Sequence, residues 1–136
     1  NRVMRKIFAF SFITILMLSV LTGCGGTDDT VQTCIISHVS YSSESELEAA
    51  EQPDTLTLNE PVYASIHFIE SPKGSEYTVK WYLDNTEIKA ETKATENDMQ
   101  DVVVYELDAD QAQKGTLKVE VIYGEDILLS KELVIQ

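Results

Sequence analysis

Few residues in this chain could carry acid–base, nucleophilic or soft-metal chemistry: His38, His67, Cys24 and Cys34. The two histidines lie far apart in the sequence, which makes a weak zinc case. A serine nucleophile needs a strained or loop-presented position, and no G-x-S-x-G or similar motif is present. Two acid groups, Asp108-x-Asp110 with Glu106 and Glu96-x-Asp98 with Asp101, could offer loop oxygens to calcium. The D-x-D-x-D-G spacing with a distal glutamate is absent, so both read as solvated loops. The expectation is therefore no catalytic residue, no metal site and no cofactor, and a chain that is not an enzyme. Two tyrosines, Tyr63 and Tyr82, fall on outward positions of apparent strands. Exposed tyrosines can stack on sugars or seat a protein partner, which makes these two the candidate partner-binding residues. Cys34 reads as a small buried hydrophobe, with pairing to another chain as the lesser reading.

Strands must position these side chains. Cys34–Tyr41 (CIISHVSY) has a β-branched centre and fits a first strand. Ser42–Asp54 is acidic, has room for one helical turn around Glu46–Glu51, and reads as a loop ended by Pro53. In Pro61–Glu70, Val62, Ala64, Ile66 and Phe68 alternate with Tyr63, Ser65 and His67, the period of a strand with one buried face. His67 is thus expected on the outward face. After the turn Ser71–Ser75, the residues Tyr77, Val79, Trp81 and Leu83 face one way and Thr78, Lys80 and Tyr82 the other. Asp84-Asn85 makes a tight turn into a short, polar edge strand at Ile88 and Ala90. Glu91–Asp101 is charged and irregular. Val103, Tyr105 and Leu107 mark another strand, followed by a loop closed by Gly115. Leu117, Val119, Val121 and Tyr123 mark the next, and Gly124-Glu125 turns into a final strand at Ile127–Ile135. Lys131 interrupts that strand's apolar alternation, the sign of a bulge or an edge. Seven short strands predict an all-β, immunoglobulin-like antiparallel β-sandwich, its core centred on Trp81 with Val79, Phe68, Val119 and Val121.

The first 23 residues have a different character. Arg2, Arg5 and Lys6 precede Ile7–Leu21, fifteen residues broken only by Ser11, Thr14 and Ser19. That run is short of the ~20 residues a spanning helix needs, and with its flanks it reads as a secretory signal peptide. It ends in Leu21-Thr22-Gly23-Cys24, which resembles the lipobox of bacterial lipoproteins. The resemblance implies cleavage after Gly23, diacylglycerol (and palmitate) on Cys24, and an anchor on the extracytoplasmic face of the cell membrane. Three segments follow: signal peptide 1–23, lipidated Gly-rich tether 24–33 and sandwich domain 34–136. Ten cations less the three of the signal leave seven against 23 acids, a net charge of −16 with no arginine. Nucleic acid and anionic lipid heads are poor partners for such a chain.

A second resemblance covers Glu60–Ile135. PVYASIHF, the turn Pro72-Lys73-Gly74, VKWYLDNTEI and LKVEVIYGEDIL resemble bacterial immunoglobulin-like domains of surface proteins and lipoproteins. Gly115-Thr116-Leu117 departs from that pattern, where an aromatic commonly follows the glycine. The resemblance implies fold and location, and no catalytic residues. The expected function is a membrane-anchored, non-catalytic binding or spacer module with an unidentified protein or carbohydrate partner. The alternatives are an adhesin module using Tyr63 and Tyr82, or an accessory subunit of a membrane-associated enzyme complex. The binding site is expected in loops or at a sheet edge far from the anchor, with the Ile88 strand open to a partner strand.

Overall fold

The computed structural model describes residues 30–136. The signal segment, the cleavage motif Leu21, Thr22 and Gly23, Cys24 and most of the expected tether lie outside the described residues. The chain then runs through β1 (Val31–Ser37), α1 (Glu44–Ala49), β2 (Thr55–Leu56), β3 (Val62–Ser71), β4 (Glu76–Leu83), β5 (Thr86–Ala94) and β6 (Met99–Leu107). A 3-10 turn (Ala109–Gln111), β7 (Gly115–Tyr123) and β8 (Asp126–Ile135) complete it.

The strands form two sheets, one ordered β1-β3-β6 and the other β2-β8-β7-β4-β5. The pairings are antiparallel except for the two-residue β2, which lies parallel to β8 through Thr55↔Val134 and Leu56↔Ile135. The chain crosses between sheets at each connection except β4–β5 and β7–β8, which are hairpins. This Greek-key order is that of an immunoglobulin-like sandwich. Both hairpins close with two-residue turns that need φ > 0 at the first central residue, Asp84 (φ 49°) or Gly124 (φ 64°), and the first turn needs it also at Asn85 (φ 72°).

Alternation decides the core. Val62, Ala64, Ile66 and Phe68 of β3 face Val79, Trp81, Val119 and Val121 of the other sheet, and all eight have no exposed surface. Phe68 stacks on Tyr77 with ring centroids 3.9 Å apart, and the Tyr105 hydroxyl donates to the Tyr77 carbonyl at 2.7 Å. All five core residues named from the sequence are in this cluster.

Four expectations change. Eight strands are described rather than seven, because β2 is too short to leave a periodic signal. β1 starts at Val31, inside the expected tether, held by its pairing to Phe68. β5 runs nine residues to Ala94 despite its charges, since Lys89, Glu91 and Lys93 sit at a sheet edge. Ser42–Asp54 contains a true helix, α1, where Ser43 Oγ accepts from Glu46 N–H at 3.2 Å and the Glu46 carboxylate takes the Ser42 N–H. The Ser-x-x-Glu sequence at that start is a helix-capping pattern.

Lysines close both open sides of the sandwich. On β5, Lys89 and Lys93 share the inward face of Trp81 and Tyr77, and their ammonium groups donate to the Glu106 and Val104 carbonyls of β6 at 2.5 and 2.6 Å. On the other side Lys131 of β8 donates to the Cys34 carbonyl of β1 and, at 3.1 Å, to Gln52 Oε1. Lys131 therefore marks a strand edge, one of the two readings its sequence position allowed; among the described residues β8 beyond β2's short reach has no second neighbour.

Candidate functional site

The outer face of the three-stranded sheet carries Ser65 and His67 of β3 and Ile35 of β1. They point away from the core, as alternation requires. Yet Ser65 is fully buried, His67 is 3% exposed and Ile35 is 6% exposed. The cover is the segment from His38 to Pro53, which folds back over the sheet with α1 packed on β1 and β3 through the buried Leu47.

Polar side chains hold this cover in place. Gln52 acts as a surrogate strand: its Oε1 accepts from Ile36 N–H at 2.9 Å and its Nε2 donates to the Ile36 carbonyl at 2.8 Å. The Tyr41 N–H donates to Ser65 Oγ at 3.0 Å. His38, just past the end of β1, accepts the Thr57 N–H on Nε2 at 2.8 Å and so donates from Nδ1 to the Pro61 carbonyl at 2.8 Å. His38 is thus a clamp between β1 and the approach to β3.

Where the cover meets the start of β6 it leaves a cleft of about 390 Å³. One wall is Ser42, Ser43 and Glu44; the other is Asn97 and Asp98 with Gln100, Asp101 and Val102 of β6; His67 lies beneath. The volume is at the small end of ligand pockets, roughly 300–1,000 Å³. Its wall is acidic, with Glu44, Asp98 and Asp101 and no lysine side chain. Asp101 is committed to structure: its carboxylate accepts N–H groups from Glu96, Asn97 and Val102 and the Asn97 amide. Burial alone would raise this carboxyl; the four donated bonds outweigh it and hold the group below its ordinary range. Asp98 accepts the Lys73 N–H on one oxygen at 3.0 Å.

His67 is the unusual member. Its Nε2 lies 3.0 Å from Gln100 Oε1, which can only accept, so Nε2 carries the proton. Nδ1 is then a bare acceptor, buried and without a hydrogen-bond partner among the described residues. The sequence placed His67 outward but gave no sign of its cover, because burial on that face depends on a distant loop.

The other candidates fall elsewhere. Tyr63 is half-buried on β3 and Tyr82 on β4, so they belong to different sheets and form no common platform. Tyr82 is moreover occupied: its hydroxyl donates to Glu120 at 3.1 Å and the Lys118 ammonium sits 4.8 Å from its ring centroid. Burial and the Glu120 carboxylate push its phenol above the ordinary value. Of the two acid groups, Asp98 and Asp101 line the cleft and Glu96 joins them only through its backbone N–H to Asp101, while the Asp108 carbonyl accepts from Gln111 N–H in the 3-10 turn. Among the described residues no three His, Cys, Asp or Glu side chains converge as a metal-ligand set. Cys34 is buried in the core, its thiol pushed up to about 11 by burial against a smaller opposing effect of Lys131. The Ile88 strand does form an edge, but the neighbouring β6 edge is occupied by lysines.

No protein-family model matches the chain, and no curated protein matches its sequence. Similar solved structures include an immunoglobulin-like protein from Pseudomonas aeruginosa, at 14% identity and TM-score 0.49, covering 82% of this chain and all of that one. A CARDB domain from Pyrococcus furiosus, solved in complex with di-metal ions, covers 80% of this chain and 96% of its own at 13% identity and TM-score 0.39. A β-glucosidase from Kluyveromyces marxianus covers 76% of this chain but only 14% of its own, at 15% identity and TM-score 0.40. At this distance the immunoglobulin-like assignment rests on the strand order itself.

Proposed function

We propose that this chain is an extracytoplasmic, lipid-anchored binding module that acts without catalysis, through the cleft between the α1 cover and β6. The observation that carries the binding reading is the cleft: an acceptor-rich hollow built on a rigid sheet, with a buried imidazole beneath it. The anchor reading is carried by Leu21-Thr22-Gly23-Cys24 behind a basic and then apolar leader. Two acyl chains, at ~0.8 kcal/mol per buried CH₂, suffice for stable anchoring.

Together the two readings put the binding site near the membrane. β1 enters the sheet beside Phe68, and Phe68 pairs with Asp101 at the cleft. Six residues lie between Cys24 and Val31, a reach of at most ~25 Å. On this reading the site lies toward the anchored end of the sandwich, in place of the distal site considered from the sequence.

Intact mass of protein from the native membrane, beside a Cys24→Ser variant, tests the anchor. A species starting at Cys24 with added diacylglycerol, absent in the variant, is the expected result. An unmodified or uncut chain would remove the lipoprotein reading.

A further inference from the structure

We infer that the cleft between α1 and β6 binds a small cationic N–H donor, a primary ammonium or guanidinium group. This deepens the binding-module reading and rests on it. Three observations converge. First, the side chains that reach the cleft are mostly acceptors. Glu44 and Asp98 are exposed carboxylates with capacity left over, and no lysine among the described residues lines the cleft. An anion would meet like charge from every wall. Second, His67, only 3% exposed, lines that same cleft, and its Nδ1 is buried with no hydrogen-bond partner among the described residues. With Nε2 turned to Gln100 Oε1, itself part of the cleft lining, the proton is on Nε2 and the lone pair on Nδ1. Third, no three metal-ligating side chains converge among the described residues, which favours a ligand that brings its own directional N–H groups over a bare ion.

An ammonium or guanidinium head offers several donors and one positive charge. It can donate to Asp98 and Glu44 at the rim while one N–H is directed at His67 Nδ1. Because Nδ1 has almost no accessible surface, that last bond requires the cleft lining to shift. The free amine of a small molecule and the side chain of a peptide lysine share this chemistry.

The test uses the full chain in detergent micelles. Butylamine is titrated by calorimetry and by nitrogen NMR of the His67 ring, with n-butanol as the neutral analogue. The blocked tripeptide acetyl-Gly-Lys-Gly-amide, run in parallel, distinguishes a peptide side chain from a free amine. The expected result is saturable binding of the amine or the lysine peptide, no binding of n-butanol, and a shift of the Nδ1 resonance toward an accepting hydrogen bond. The double substitution Glu44→Gln/Asp98→Asn should weaken binding about tenfold or more, since charge-assisted bonds are lost. The pair Glu125→Gln/Glu132→Gln, equal in charge but remote in sequence from the cleft walls, should leave it unchanged. Equal binding of n-butanol, equal weakening by both pairs, or binding with no movement of Nδ1 would each overturn the inference. So would Ca²⁺ competing for the same shift at lower concentration. A failed titration leaves the anchor measurement standing, and a failed anchor measurement leaves this one intact.

Discussion

Single residues in this fold are constrained by what surrounds them more than by what they are. Gly115 has φ of +149°, and a Cβ built there would lie 2.8 Å from both carboxylate oxygens of Asp84. Asp84 cannot retreat, because its carboxylate accepts the Thr116 N–H at 2.9 Å while its own N–H donates to the Thr116 carbonyl. Gly115→Ala should therefore lower stability by roughly 1–3 kcal/mol in denaturant titration. Cys34 shows the same dependence through its ionisation. Burial raises its folded-state value from 9.0 to about 11, so the neutral thiol contributes stability that is whole below pH 9. That contribution is lost as pH rises toward 11, an amount on the order of 2 kcal/mol. Burial also raises Tyr105, with the same sign, so the comparison must be with Cys34→Ala. The variant should show a shallower fall in unfolding free energy between pH 9 and 11, and a parallel fall would refute the assignment.

At the scale of elements, the sandwich protects its edges with inward charges. The ties from Lys89 and Lys93 occupy carbonyls of β6 that would otherwise be open to another strand. The double variant Lys89→Met/Lys93→Met should self-associate with rising concentration, read by light scattering after size exclusion. A variant that stays monomeric over the same range would show that the lysines serve only local pairing. The α1 cover is a different kind of element, six residues long and too short to stand alone. It depends on Leu47, which is 1% exposed, and on the Gln52 bonds to β1. Leu47→Ala should cost about 2–3 kcal/mol locally. Hydrogen exchange should accelerate across residues 42–49 and at Tyr41 while the core strands keep their protection. Uniform acceleration would mean that the cover and the sandwich unfold together.

For the whole molecule, Trp81 is the test of the core. It is fully buried on β4, yet its indole N–H has no partner among the described residues. Trp81→Ala should destabilise by about 3–5 kcal/mol in chemical denaturation. Trp81→Phe should cost distinctly less, since it removes an unsatisfied donor along with the lost volume. Much of this core was legible beforehand, because a period of two on Val62–Phe68, Tyr77–Leu83 and Leu117–Tyr123 assigns each side chain a face from its neighbours alone. The turns at Asp84-Asn85 and Gly124-Glu125 were legible for the same reason, being local demands for φ > 0. Less legible were β2, which exists only through its parallel pairing with β8, and β5, whose charged sequence is tolerated at an edge. The Ser43-x-x-Glu46 cap was present in the sequence as the one local signal for α1.

The sequence by itself determined which residues face inward, where the chain turns, how acidic it is and which leader it resembles, because periodicity, turn chemistry and charge are properties of neighbouring residues. Only the tertiary structure decided that Tyr63 and Tyr82 are parted between sheets, that His67 lies under cover with a bare nitrogen, and that Glu44, Asp98 and Asp101 share a cleft with it. Those facts depend on which strands pair and on a loop that returns over a face whose contact, Ser65, lies 24 residues from Tyr41. Alternation can assign a side chain to a face; it cannot say what will cover that face.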